Sequence, residues 1–323
     1  MQLMQDTVRA QILSINEQLK WKPVATRKIR PAKAYVLCGM GGSHLAADLL
    51  KAVDPTLPLI VHKSYGLPHM IPTGAAVIVS SYSGNTAETL SAYEEAKKKK
   101  LPIIAISSGG KLQSMSIRDK YPHIAVPVGF QPRMATGIMM LATLFAMNKR
   151  GHMKKLYDAG KKLRADDIED EGMKLAAWYK GGIPIIYSSA RYFGSAYCMK
   201  IALNETGKSS AFCNEFPELN HNEMNGFGAP ESRENASYRV LVLKFAADDK
   251  HIIRRIDATV NLLSEQKVEV TIRPFAKNSN PFVPTLQALL LGEWAAVHLA
   301  AARGADPEGV PMVEGLKKIM KGK

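Results

Sequence analysis

Val36-Leu37-Cys38-Gly39-Met40-Gly41-Gly42-Ser43-His44 and Val77-Ile78-Val79-Ser80-Ser81-Tyr82-Ser83-Gly84-Asn85-Thr86 share one layout. Each is an apolar, β-branched run that ends in small and hydroxylic residues. Each then passes into a helical period, Ala46 to Ala52 after the first and Ala87 to Lys97 after the second. A buried strand that breaks at such a loop and restarts as a helix aims backbone N–H groups and the positive helix end at one spot. Proteins commonly hold a phosphate in this way. Ser, Thr, Asn and Gly are also ordinary turn and cap residues, so one such loop would carry little. Two of them in neighbouring strand–helix units carry more.

Working outward, short buried runs alternate with helical periods. Strands are expected over 34–38, 59–62, 75–80, 103–107 and 123–127, with helices over 45–52, from 86, and over 136–147. The polar stretch 152–171 reads as a helical bridge. A second alternation follows, with strands over 183–189, 239–245 and 268–274 and helices over 191–204, 250–266 and 284–303. This pattern predicts an α/β protein with two flavodoxin-like, doubly wound parallel sheets, one domain over 1–150 and one over 151–323. An amphipathic helix with Val8, Ile12, Leu13, Ile15 and Leu19 opens the chain, and a further helix ends it. Ligands in such sheets sit beyond the carboxyl ends of the strands, where both opening loops lie.

The composition narrows the class. Cys38, Cys198 and Cys213 are scattered without a CxxC pair, which suggests neither a disulfide framework nor a cysteine zinc site. A reduced, cytoplasmic setting is expected. No apolar run reaches transmembrane length, and the first residues lack the basic-then-apolar layout of a signal peptide, so no membrane partner is expected. The formal net charge of +14 would suit nucleic acid, but much of it lies in helix-end runs such as Lys97-Lys98-Lys99-Lys100 and the tail from Lys317. These lysines are not interleaved with aromatics, and no nucleic-acid-binding signature accompanies them. Solvated helix faces and attraction of an anionic metabolite explain the charge better.

A nucleotide cofactor is disfavoured. His44 stands where a dinucleotide fingerprint needs its last Gly or Ala, the second strand ends Val61-His62-Lys63 without an acid, and no GxxxxGK[ST] occurs. A small phosphorylated metabolite fits, with Gly41, Gly42, Ser43, Ser81, Ser83 and Thr86 as its binding residues.

The loops resemble the sugar isomerase (SIS) fold, in which a Ser/Thr-rich loop holds the phosphate of a phosphosugar. Three further stretches widen the likeness: Gln131-Pro132-Arg133 before a helix, Asn204-Glu205 at a helix end, and Phe216-Pro217-Glu218-Leu219-Asn220-His221-Asn222-Glu223. The set resembles the bifunctional phosphoglucose/phosphomannose isomerase family over nearly the whole chain. That resemblance implies cofactor-free, metal-free interconversion of fructose 6-phosphate with glucose 6-phosphate and mannose 6-phosphate through a cis-enediolate. Such chemistry needs a base beside the carbon acid, a group that opens the ring, and positive charge near the developing oxyanion.

Glu205, after the apolar Met199, Ile201 and Leu203, is the base; the alternative is pairing with Lys208. His221 is the ring-opening residue, against a loop histidine held by Asn220 or Glu223, or a metal ligand. NHNE is not HExxH, and no second His or Cys lies at ligand spacing. Arg133 stabilises the enediolate oxygen, against a surface ion pair. The resemblance further implies an obligate homodimer, with His221 supplied by the neighbouring subunit, and a lysine on the last helix, matched by Lys317 beside Lys318. Glu215, Glu218 and Glu223 read as structural or positioning carboxylates. The family's room for both sugar epimers is linked to a small threonine near a C-terminal turn. Here that turn reads Asp306-Pro307-Glu308-Gly309, so glucose 6-phosphate is the firmer substrate. Outside this reading stand another SIS-fold phosphosugar isomerase and a sugar-phosphate-binding regulator that does no chemistry.

Overall fold

In the computed structural model, residues 2–228 and 237–320 are described. The chain opens with α1 (Gln2–Leu13) and α2 (Ile15–Gln18), then alternates β1 (Ala34–Cys38), α3 (Gly42–Val53), β2 (Leu59–His62) and β3 (Ala75–Ser80). There follow α4 (Ala87–Lys98), β4 (Ile103–Ser107), α5 (Gly110–Arg118), β5 (His123–Ala125), α6 (Thr136–Ala146) and α7 (Arg150–Lys162). The five strands are all parallel, in the order β2-β1-β3-β4-β5. Burial on both faces explains the unbroken apolar runs: every residue of β3 and of β4 is buried. The apolar sequence of α6 has the same cause, since ten of its eleven residues are buried.

The second series comprises α8 (Glu169–Tyr179), β6 (Ile183–Ser189), α9 (Phe193–Glu205), β7 (Phe212–Phe216) and β8 (Tyr238–Phe245). It continues through α10 (Lys250–Glu265), β9 (Glu269–Phe275), α11 (Phe282–Arg303) and α12 (Pro311–Met320). Its sheet is also all parallel, in the order β7-β6-β8-β9. Strand β7 has no counterpart among the expected strands, because its Phe-Cys-Asn-Glu-Phe is half polar and lies at a sheet edge.

The chain divides into two compact units, and they do not meet at a single cut near residue 150. One unit, holding the first sheet, comprises Ser14–Leu163 and Asn278–Thr285. The other, holding the second sheet, comprises Met1–Leu13, Arg164–Lys277 and Leu286–Lys323. Side chains explain both departures from a simple division. Arg9 on α1 makes a bidentate pair with Glu169 on α8, at 3.1 and 2.7 Å, which fastens α1 to the second-sheet unit. Asn16 donates to the carbonyls of Gly160 and Leu163 at 2.6 and 2.8 Å, and so holds α7 within the first-sheet unit.

Helix α11 corrects one expectation. Its 22 residues are long and apolar enough to cross a membrane, but 83% of the apolar window is buried. From Leu286 onward it is a core helix of the second-sheet unit. Its fully buried Trp294 donates to the Ala165 carbonyl at 2.7 Å, and a Cβ at Gly172 of α8 would lie 2.3 Å from the Trp294 side chain. Only a glycine lets α8 approach so closely.

One buried histidine braces the first sheet. His123 on β5 is fully buried, with Nε2 2.8 Å from Ser107 Oγ. With the Ser107 hydroxyl donating to the Gly109 carbonyl at 2.9 Å, its oxygen is left to accept from His123 Nε2. Burial holds its pKa below the ordinary histidine value. The native state therefore binds fewer protons than the unfolded chain once the pH drops below about 6.5, and acidification favours unfolding. Urea midpoints measured between about pH 7 and about pH 5 should fall for the wild type and fall less steeply for His123→Gln. Equal slopes would remove His123 from the acid sensitivity.

Candidate active site

The order β2-β1-β3-β4-β5 reverses direction between β1 and β3, and a ligand crevice opens at such a switch point beyond the strand ends. Both quoted loops emerge there. Ser43 ties them together: its hydroxyl accepts the Tyr82 amide at 2.9 Å, and its carbonyl accepts the Ser80 hydroxyl at 2.9 Å. Ser43 lies inside α3, which begins at Gly42, so the first loop is three residues shorter than the expected helix start at 45 implies. Gly41 makes the turn at φ +51°, and Gly42 packs so tightly that a Cβ would lie 2.3 Å from the Pro132 carbonyl oxygen. That approach sets the 3-10 turn Pro132–Met134, and Arg133 with it, beside the first loop. Arg133 is 7% exposed, so it is not the surface arginine of the alternative reading.

The second loop is the stronger anion cradle. Ser81 Oγ and Thr86 Oγ1 face each other at 2.9 Å across the start of α4. Thr86 is the N-cap of α4, but its side chain makes no cap bond, so the first-turn N–H groups keep their donor capacity. Gly84 (φ +68°) turns the loop under the Gly109 carbonyl, where a Cβ has no room. The third wall was not anticipated. Ser107-Ser108-Gly109-Gly110 ends β4 with the same grammar as the two opening loops, and Ser108 donates to the Tyr82 carbonyl at 2.6 Å. Its signal was in the sequence, as a third apolar run ending in Ser-Ser-Gly-Gly. Ser83, at the loop tip, is exposed.

At the corresponding switch of the second sheet, β6 ends in Ser188-Ser189 and β8 leads to Asp248. Ser189 Oγ donates to Asp248 Oδ1 at 2.6 Å. Burial pushes the Asp248 carboxyl up, against the hydrogen bonds from Ser189 and the Phe245 amide. A serine committed to a carboxylate is no phosphate site, which leaves the anion cradle to the first sheet.

The second-sheet unit carries the remaining candidates. Glu205 is the last residue of α9 and is half-buried. The neighbouring Asn204 donates to the Ser209 and Ala211 carbonyls at 2.8 and 3.4 Å, which places this helix end beside the start of β7. His221 follows the far end of β7 and is exposed. Glu205 and His221 of one chain therefore flank opposite ends of a five-residue strand. Such a strand is about 16 Å long. Lys317 and Lys318 are exposed on α12.

The His221 segment is laced to the sheet by its carboxylates and amides. Glu223 accepts the Tyr187 hydroxyl at 2.5 Å and also the Asn214 amide. Asn220 donates to Thr259 on α10 at 2.8 Å, and Asn222 to Glu218 at 2.8 Å. Burial, with Glu223 beside it, pushes the Tyr187 hydroxyl up, so it remains a donor. Burial and the nearby Glu218 push the Glu215 carboxyl up. Among the described residues, no group of three or more His, Cys, Asp or Glu is placed to hold a metal ion.

Two all-parallel sheets, each flanked by helices, place the chain in the α/β class of SIS-domain proteins. Residues 168–320 match the family described as the bacterial phospho-glucose isomerase C-terminal SIS domain. The bifunctional phosphoglucose/phosphomannose isomerase of Aquifex aeolicus is 33% identical over 94% of this chain and 95% of its own length. That of Thermoplasma volcanium is 30% identical over 95% and 97%. The chain belongs to the bifunctional phosphoglucose/phosphomannose isomerase family, and it is an isomerase. The fold extends further. The C-terminal domain of glucosamine-fructose-6-phosphate aminotransferase from Francisella tularensis superposes with a TM-score of 0.69 at 15% identity, covering 95% of this chain and 98% of that one.

Proposed function

We propose that the chain interconverts fructose 6-phosphate with glucose 6-phosphate and mannose 6-phosphate, in the cytoplasm, as a homodimer. The observation that carries this reading is the cradle at the first switch point, with the Ser81 and Thr86 hydroxyls bracketing the uncapped start of α4. It suits the terminal dianion of a sugar phosphate. The relatives named above, covering nearly the full chain, support the reaction class.

In the proposed mechanism Gly41, Gly42, Ser43, Ser81, Ser83 and Thr86 hold the phosphorylated end of the hexose. His221 donates to the ring oxygen and accepts the C1 hydroxyl proton, which frees the open chain. Glu205 then removes the proton from C2 of the aldose and returns it to C1, through the cis-enediolate. The permanent charge of Arg133 stabilises the enediolate oxygen, and Lys317 adds a second cation. Glucose and mannose 6-phosphates share the enediolate and differ only in the face at C2 that is reprotonated. Opposite-end placement of Glu205 and His221 within one chain supports supply of His221 by a neighbouring subunit.

The test is incubation of the purified protein with fructose 6-phosphate in EDTA, followed by NMR. Both aldose phosphates are expected. Glucose 6-phosphate alone would narrow the specificity, and shifted fructose 6-phosphate resonances without product would favour a binding module.

A further inference from the structure

Lys208 stands three residues beyond the proposed base and leaves the helix in the left-handed region, at φ +49°. That conformation is not itself the signal. Lys100, Lys120 and Lys267 take the same left-handed position just after α4, α5 and α10, and all three are exposed there. Lys208 is half-buried, and its ammonium does something different. It donates to the main-chain carbonyl of Glu205 and, at 2.6 Å, to that of Gly309. It thus joins two segments 101 residues apart.

Both segments are built to receive it. The carbonyls of the last turn of a helix have no intrahelical partner, and they form the negative end of its dipole. A lysine ammonium on the Glu205 carbonyl satisfies one of them and places positive charge where the helix presents its acid. On the other side, the Gly309 carbonyl is presented by a turn that Asp306 organises. Asp306 accepts the Glu308 amide at 2.8 Å and the Gly309 amide at 3.0 Å. Arg303, at the end of α11, closes the ring by donating to the Lys208 carbonyl at 3.3 Å. Two residues past Gly309, α12 begins and carries Lys317.

We infer that Lys208 is a positioning residue that locks the end of α9, and with it Glu205, to the 306–309 turn. The inference rests on the reading of Glu205 as the base. A carboxylate that moves a proton between two adjacent carbons must hold its place to within a fraction of an ångström. Glu205 is the terminal residue of its helix, so its carbonyl has no partner within the helix. Asn204 ties this end to the start of β7, and the two-carbonyl bridge adds a tie to the 306–309 turn. The ammonium reaches main-chain oxygens of both segments, a restraint that contact with the Glu205 carboxylate alone would not supply.

The test uses the full-length protein and two substitutions, Lys208→Met, which keeps the length without the donors, and Lys208→Arg, which can still donate to two carbonyls. Lys208→Met should lower kcat for fructose 6-phosphate isomerisation about 100-fold, the cost of misplacing a catalytic group by roughly an ångström. KM, and the affinity for sorbitol 6-phosphate, which cannot isomerise, should stay within about threefold. Lys208→Arg should restore most of kcat. Asp306→Ala, which dismantles the turn from the other side, should reproduce the kcat-selective loss and serves if Lys208→Met does not fold. In a Glu205→Gln background, Lys208→Met should cost nothing more.

Wild-type kcat in both Lys208→Met and Asp306→Ala overturns the inference. So does a loss shared equally between turnover and sorbitol 6-phosphate binding that Arg does not rescue, since general damage to the fold would look like that. Failure of the underlying reading is visible separately, as turnover retained by Glu205→Gln alone.

Discussion

Glu205→Gln should abolish isomerisation while leaving phosphosugar binding nearly intact. The amide has the size and shape of the carboxylate but cannot accept a proton from carbon. Loss of a general base costs about 10²- to 10⁴-fold in rate, and here the same group also returns the proton, so the upper end applies. The cradle proposed to bind the phosphate lies in the other compact unit, on loops after β1 and β3, and the substitution leaves it unchanged. The helix end should also survive, because Lys208 holds it through the main-chain carbonyl. Two readouts decide the matter. Exchange of the sugar C2 proton with deuterated solvent should stop, and titration with sorbitol 6-phosphate should give an unchanged affinity. Exchange that continues at a comparable rate would take the proton-transfer role from Glu205.

The parts of this molecule that were legible in the sequence are those where one physical cause dominates. Parallel strands buried on both faces leave unbroken apolar runs, and β1, β3, β4 and β6 lie where those runs are. Loops that must leave N–H groups free carry small and hydroxylic residues, and Ser81 and Thr86 do so at the start of α4. Strand β7 was hidden because an edge strand needs only one neighbour and tolerates polar residues. Its Asn214 and Glu215 also sit in the region that shapes the His221 segment. The start of α3 was placed late because Gly41-Gly42-Ser43 reads as loop, whereas the close approach of Pro132 requires glycine inside the helix start.

The allocation of α1 and α7 to units was hidden for a different reason. It depends on single long-range pairs, Arg9 with Glu169 and Asn16 with the Gly160 and Leu163 carbonyls, which leave no periodic trace. The same holds for the Lys208 bridge, whose two ends lie 101 residues apart. Periodicity reports burial, and motifs report local backbone geometry. Neither reports which distant partner a polar side chain finds.

The placement of Glu205 and His221 leads to the last expected result. Helix α9 returns antiparallel to β6 and delivers Glu205 to the start of β7; β7 then carries the chain back toward His221. One proton-transfer centre cannot use two side chains of one chain held at opposite ends of a strand about 16 Å long. The proposed homodimer, if closed and two-fold, would resolve this, because each site would then take Glu205 from one subunit and His221 from the other. Glu205→Gln and His221→Ala homodimers should each be inactive. If the two are mixed under conditions that let subunits exchange, half of the dimers are heterodimers. Each of these has one site with both substitutions and one site with neither. Activity should rise from near zero to about a quarter of the wild-type value, the statistical limit for a two-fold assembly. The recovery should follow the rate of subunit exchange and be absent when pre-formed homodimers are cross-linked before mixing. No recovery after exchange has been demonstrated would mean that both residues act within one subunit, and α9 or the His221 segment would then have to move.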